Sequence, residues 1–215
     1  MGKRDLPEFV NSYRSKNRTV MPRIARTAKL FADAPDGFRY EESFITEREE
    51  RELVGHIERL PLKEFEFHGY VGRRRTTSFG WRYDFGHASL DRAATIPEFL
   101  LPLRERSAAF AGLSPEDFPH VLVTEYSPGT PIGWHRDKAV FEDVIGVSLL
   151  STCRFRLRRR TATGWERYTI ELAPRSVYLL RDVVRRDWEH SIPPVDELRY
   201  SITFRSLRRT PSGGE

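Results

Sequence analysis

Apolar residues recur at helical spacing in the first half of the chain and at alternate positions in the second. Thr46 followed by Glu49 forms a capping-box pattern, and Leu53, Ile57 and Leu60 continue it at helical spacing until Pro61 ends the run. A second box, Thr95 with Glu98, predicts a helical region in which Phe99, Leu103 and Phe110 share a face, with Pro102 restarting or kinking it before Gly112. From residue 119 the period changes to two. "HVLVTEY", "VIGVSLL", "CRFRLR", "RYTIEL", "SVYLL" and "RYSITFR" are short segments rich in β-branched and aromatic residues, separated by loops with Pro, Gly or Asp. In the last of them Tyr200, Ile202 and Phe204 share one face, and Arg199, Ser201 and Arg205 the other. Two helices followed by a run of strands predict a mainly β (α+β) protein, an antiparallel sandwich or barrel braced by helices.

Before the first helix, residues 1–36 show no sustained period and close on a Pro35-Asp36-Gly37 turn signal, so they read as a largely irregular arm. The 215 residues otherwise suit one domain, placed at 37–208, with 209–215 as a flexible C-terminus. Charged residues reach 31% and aromatics 12%, the mark of a folded, highly charged protein. The net charge of +5 points to nucleic acid only locally. Residues 1–30 hold eight Lys or Arg against two acids, so the rest of the chain is close to neutral. The arm is either solvated or phosphate-binding. No apolar run is long enough for a membrane span and no secretory signal is visible, which predicts a soluble, cytoplasmic protein. Cys153 is the single cysteine, which excludes an internal disulfide and a cysteine-based zinc site. No obligate protein partner is expected.

In "GWHRDKAV", residues 133–140, His135 and Asp137 are two apart and share one face of an extended segment, while Arg136 points away. An imidazole and a carboxylate suit a divalent transition metal, and His190 in "WEHSIPP" is the candidate third ligand. A His-x-Asp pair also arises by chance; His56, His68, His87 and His120 have no such partners and read as surface or structural. Arg199 and Arg205 are six apart on one strand face. A buried guanidinium meets an anion or costs stability, so the pair fits either a dicarboxylate co-substrate beside the metal or two structural ion pairs.

The ordered set Tyr126-Ser-Pro-Gly-Thr-Pro-Ile-Gly-Trp-His135-Arg-Asp137, "GVSLLSTCRFRLR", His190 and Arg199-Tyr-Ser-Ile-Thr-Phe-Arg205 resembles the AlkB family of Fe(II)- and 2-oxoglutarate-dependent dioxygenases over roughly residues 119–207. The resemblance implies a double-stranded β-helix (jelly roll) core, Fe(II) on His135, Asp137 and His190, and 2-oxoglutarate and O2 as co-substrates. It implies that Arg199 and Tyr126 hold the far carboxylate of 2-oxoglutarate, that Arg205 lies near the chelating end, and that residues 69–87 form the substrate lid. Thr124 and Ser201 replace two family asparagines and keep hydrogen-bonding capacity. Ala139 stands where nucleic-acid repair members commonly carry an acid, so the resemblance specifies the substrate less well than the reaction.

The expected substrate is an alkylated base in DNA or RNA. Arg73, Arg74 and Arg75 offer charge to phosphates, and Phe79, Trp81 and Tyr83 alternate on one face of an expected strand, as a base-stacking platform or simply as core. Arg158, Arg159 and Arg160 extend that surface or form only a hairpin tip. The alternatives are the same chemistry on a protein side chain, lipid or small molecule, and an inactive nucleic-acid-binding protein.

Overall fold

A computed structural model describes residues 34–67, 70–84 and 89–208, with side chains excepted at 65–67, 70–72, 82–84 and 89–90. The basic arm over 1–33, the C-terminal residues 209–215 and part of the expected lid therefore lie outside the described residues.

Thirteen described strands build two facing sheets and a small ribbon. The larger sheet contains β1 (Phe38–Glu41), β2 (Lys63–Phe67), β3 (Tyr70–Phe79), β6 (His120–Tyr126), β8 (Phe141–Leu149), β11 (Val177–Leu180) and β13 (Arg199–Leu207). Its order is β1-β11-β8-β13-β6-β3-β2. The smaller sheet contains β7 (Ile132–His135), β9 (Cys153–Thr161), β10 (Gly164–Leu172) and β12 (Glu189–Ile192), in the order β10-β9-β12-β7. Ribbon strands β4 (Trp81–Asp84) and β5 (Ser89–Arg92) pair only with each other. All described pairings are antiparallel, and β6 to β13 pass back and forth between the two sheets in the manner of a double-stranded β-helix, with β9 and β10 forming a hairpin within the smaller sheet.

Helix α1 (Glu47–Ile57) starts at the Thr46 capping box as its sequence predicts, and it buries Leu53 and Ile57. Helix α2 (Leu101–Ala111) begins with Pro102 in its first turn and ends on Gly112. The Thr95 box does not form: a short 3₁₀ turn, Glu98–Leu100, precedes α2, and Pro97 takes the cap position without a side-chain bond. Proline after Ile96 biases that residue toward extended backbone, which leaves Thr95 outside the helix. A third helix, α3 (Asp182–Asp187), links β11 to β12.

The larger sheet presents one face to α1 and α2 and the other to the smaller sheet. Val121, Val123, Ile145, Val147, Tyr200, Ile202 and Phe204 pack with Leu53, Ile57 and Leu103. Tyr126, Val144 and Tyr178 meet Phe155, Leu157 and Ile192 between the sheets. The expectation that helices simply precede strands needs correction, because five strands lie before residue 93. Four of them have only four or five residues, too few for a period of two to stand out; the ten-residue β3 is the exception.

Candidate active site

Between the two sheets lies a cavity of about 1360 Å³, and the residues singled out at its centre come from four strands. His135 is the last residue of β7 and lies opposite His190 of β12 across the ladder, with ring centroids 4.2 Å apart. Asp137 follows in the loop after β7, so the strand ends one residue after Trp134 yet the aspartate still reaches inward. Its Oδ2 is 3.7 Å from His190 Nε2. That separation is too long for a hydrogen bond, and Oδ2 is buried with no hydrogen-bond partner.

The protonation of this cluster follows from burial. His190 is pushed down to about 3 by burial and by neighbouring His135, so its imidazole is neutral at pH 7. Burial also lowers His135, whose Nδ1 lies 2.9 Å from the Gly133 carbonyl, a bond that leaves Nε2 its lone pair. Burial alone would raise Asp137, but Arg205 above all, followed by His190, His135 and Arg185, holds the carboxyl well below the usual carboxylate range. Two neutral imidazoles and an ionised carboxylate thus share a buried space, a donor set that fits a divalent cation. The three do not close into a ready-made cage: among the described residues no group of three His, Cys, Asp or Glu side chains has ion-binding geometry. Asp137 turns its other oxygen, Oδ1, to Arg205 Nε at 2.8 Å and Nη2 at 2.7 Å.

Two arginines lock the aspartate loop to α3. Arg185 Nη2 donates to the carbonyls of Lys138 and Phe141, both at 2.7 Å, and Arg136 Nη1 donates back to the Arg186 carbonyl at 3.2 Å. Arg136 lies past the end of β7, reaches the Arg186 carbonyl and also lines the cavity.

The face of β13 toward the cavity carries Arg199, Ser201, Thr203 and Arg205. Arg199 is 1% exposed; its Nε donates to Ser148 Oγ at 3.1 Å, its guanidinium lies 5.0 Å from the Tyr126 ring centroid, and Nη1 is buried without a partner. Such an orphaned cationic donor suits an anion. Thr124 and Ser201 are direct partners in the β6–β13 register and both line the cavity.

The three consecutive arginines of β3 separate. Arg74 lines the cavity, and burial lowers its basicity although Tyr126 and Asp137 oppose that effect. Arg75 is held by Glu125 in a two-pronged pair at 2.8 and 2.6 Å, and Arg73 is exposed. The expected single strand through Phe79, Trp81 and Tyr83 is corrected. It breaks at Gly80, whose φ of +76° and close approach to the Pro119 carbonyl, which a Cβ would meet at 1.9 Å, exclude a side chain. Phe79 ends β3 buried in the helix-side core, whereas Trp81 starts the ribbon with Arg92 5.7 Å from its ring centroid. The Tyr83 side chain lies outside those described.

Two cavity residues escaped the sequence reading. Of the surface and structural readings left open for His120, burial favours the second: it is 3% exposed, lies opposite Arg205 in register and against the Phe141 ring at 4.7 Å, with Nδ1 buried and unpartnered. Burial and Arg205 push it down to about 3. Tyr178 lies against Phe155 at 4.9 Å, above Gly146, whose missing side chain makes room for the ring. Burial, with Asp137 and Tyr126 adding, raises its phenol far above the usual value. Sequence offered only one signal for either: both occupy strands that flank the metal-type motif.

A family model described as the 2OG-Fe(II) oxygenase superfamily matches residues 42–205. The "Alkylated DNA repair protein ALKBH8 homolog" of Arabidopsis thaliana is 27% identical over 194 residues, covering 77% of this chain and 54% of that protein. The "Probable RNA/DNA demethylase ALKBH6" of Danio rerio is 27% identical over 116 residues, 54% of this chain and 47% of that one. The chain thus spans about half the length of the curated relatives it matches. The solved structure of OsALKBH1 superposes with a TM-score of 0.63 over 79% of this chain and 96% of that one, at 16% identity, a likeness of fold.

Proposed function

Since this chain belongs to the 2OG-Fe(II) oxygenase superfamily, we propose that it is an AlkB-type dioxygenase that oxidatively demethylates alkylated bases in DNA or RNA. One observation carries the reading: a buried carboxylate oxygen without a partner faces two neutral imidazoles, and a partnerless guanidinium nitrogen lines the same cavity. The first fits Fe(II); the second fits a carboxylate of 2-oxoglutarate.

When bound, Fe(II), 2-oxoglutarate and O2 supply the oxidation of a C–H bond, with succinate and carbon dioxide as co-products and formaldehyde released if the carbon was an N-methyl. The chain's own part is to hold and orient. His135, Asp137 and His190 present the ligand atoms, Arg199 takes the far carboxylate beside Tyr126, and Thr124 and Ser201 offer hydroxyls along the same wall. Arg205 keeps Asp137 ionised and fixed, while the walls of Phe155 and Tyr178 keep the region dry.

On the substrate side, Arg74 from within the cavity and Arg73 and Trp81 from its outer strands remain the candidates to meet a flipped base and its phosphates. Arg75 contributes through Glu125. The names of the relatives, an alkylated-DNA repair homologue and an RNA/DNA demethylase, support a nucleic-acid substrate. We place the reaction in the cytoplasm; no helix among the described residues is long and apolar enough to cross a membrane. Incubation of iron-loaded protein with N-methylated DNA and RNA oligonucleotides tests this. Formaldehyde release supports the reading, and 2-oxoglutarate consumption with no oligonucleotide turnover moves the substrate to a protein side chain, lipid or small molecule.

A further inference from the structure

We propose that the outer face of the β7–β12–β9–β10 sheet is a track for single-stranded nucleic acid, leading away from the catalytic cavity. The proposal rests on the nucleic-acid reading above, because a strand that delivers a base to the cavity has to continue over a neighbouring face.

Alternation along β9 turns Cys153, Phe155 and Leu157 inward and Arg154, Arg156, Arg158 and Arg160 outward. Arg158 lies between two indoles, 4.2 Å from the ring centroids of both Trp134 on β7 and Trp165 on β10. Arg156 adds a contact to Trp134 at 5.0 Å and Arg160 one to Trp165 at 5.3 Å. The result is a ladder of guanidinium and indole groups that crosses all four strands of the sheet.

This face adjoins the catalytic cavity. Trp134 immediately precedes His135 and lines that cavity, and Arg136 lines both it and a second cavity of about 300 Å³ whose walls include Arg158, Arg159, Arg160 and Trp165. The outward positions of β9, β10 and β12 hold five arginines, Arg154, Arg156, Arg158, Arg160 and Arg167, against two glutamates, Glu171 and Glu189. Glu189 occupies Arg158 at 2.6 Å and Glu171 lies opposite Arg154 in the ladder, while among the described ion pairs Arg154, Arg156 and Arg160 have no carboxylate.

A guanidinium that rests its face on an indole keeps its N–H edge for a phosphate, and an indole gives any base a surface for stacking. Outward side chains two apart on β9 are about 6.7 Å apart, on the order of the repeat of an extended nucleic-acid backbone. Charges at that repeat, with the indoles of Trp134 and Trp165 on either side of Arg158, fit an unpaired strand, whose bases are free to stack, better than a duplex.

Fluorescence anisotropy with the full chain and labelled, unmodified 12-nucleotide DNA and RNA tests the assignment, with polyglutamate of equal charge as the competing polyanion. R158Q/R160Q is expected to bind the oligonucleotides about 10-fold more weakly and to flatten the log K against log salt slope by about 0.7, the one phosphate contact of Arg160, because Glu189 already holds Arg158. W165A is expected to weaken binding about 5- to 30-fold and leave the slope unchanged. Formaldehyde release from a methylated trinucleotide, too short to reach the track, stays at the wild-type rate in both variants. Should R158Q/R160Q lose its fold, R160E carries the same expectation.

Variants that bind like wild type would show a ladder that only braces its own sheet, and equal losses for polyglutamate would show a site for acidic protein segments; either overturns the track. Wild-type protein that turns over methylated oligonucleotides beside unaltered variant binding sinks this proposal alone. Wild type that neither binds nor demethylates any oligonucleotide sinks the catalytic reading with it.

Discussion

Arg205 grips one oxygen of Asp137 with two nitrogens, at 2.8 and 2.7 Å, and leaves the other oxygen buried, unpartnered and 3.7 Å from His190 Nε2. The arginine balances the charge on one side of the carboxylate and faces its free side toward the two histidines. R205M is therefore expected to leave Asp137 as an uncompensated buried anion, costing about 3–5 kcal/mol in urea unfolding of metal-free protein. Adding D137N to R205M should recover part of that loss while abolishing iron binding. An R205M protein as stable as wild type would contradict the role assigned to the pair.

Arg199 should act on the co-substrate and leave the metal alone. R199M is expected to raise the 2-oxoglutarate concentration for half-maximal turnover about 100-fold or more, since one partner of a buried charged contact is removed. Iron stoichiometry should be unchanged. Anaerobic iron titration beside a 2-oxoglutarate saturation curve checks both halves.

The Gly146–Tyr178 contact predicts a packing clash. A Cβ at 146 would lie 2.3 Å from the Tyr178 ring, so G146A should cost about 1–3 kcal/mol, and G146A/Y178A should cost less than the two single changes together. Thermal unfolding of the four proteins measures the coupling.

His120 makes stability pH-dependent in a defined window. Its folded pKa of about 3 lies below the ordinary value near 6.5, so the unfolded chain binds its proton first and stability falls as pH drops from about 6.5 toward 3. Asp137, which faces it, stays ionised over that range. In metal-free protein, wild type should lose about 2 kcal/mol more than H120N between pH 7.5 and pH 5. Urea melts at the two pH values read this, and the contributions of His135 and His190 cancel in the comparison. Equal losses would mean that the ring is charged or exposed in the fold.

These residues also show how far one-dimensional pattern reaches. The inward face of β13 was readable because a period of two separates Arg199, Ser201 and Arg205 from Tyr200, Ile202 and Phe204 wherever the strand is placed. His190 was the candidate partner of His135 from the residues alone and the family resemblance reinforced it, whereas the register that pairs them is visible only in three dimensions. His120 was missed because its inward position depends on pairing with Arg205, a relation between residues 85 apart in sequence. Local strain misled too. The β2–β3 ladder shifts register between Glu64 and Phe65, and Gly80 ends the strand, so neighbouring arginines and aromatics that look equivalent in sequence take different surroundings.

The central claim is that His135, Asp137 and His190 hold one iron in the cavity that Arg199 serves. Anaerobic titration of Fe(II) into the full chain, with single alanine variants at the three positions, tests it most directly. The account predicts one Fe(II) per wild-type chain, loss of that site in each variant, and loss of 2-oxoglutarate turnover with it. Wild-type stoichiometry and turnover retained in D137A would contradict it.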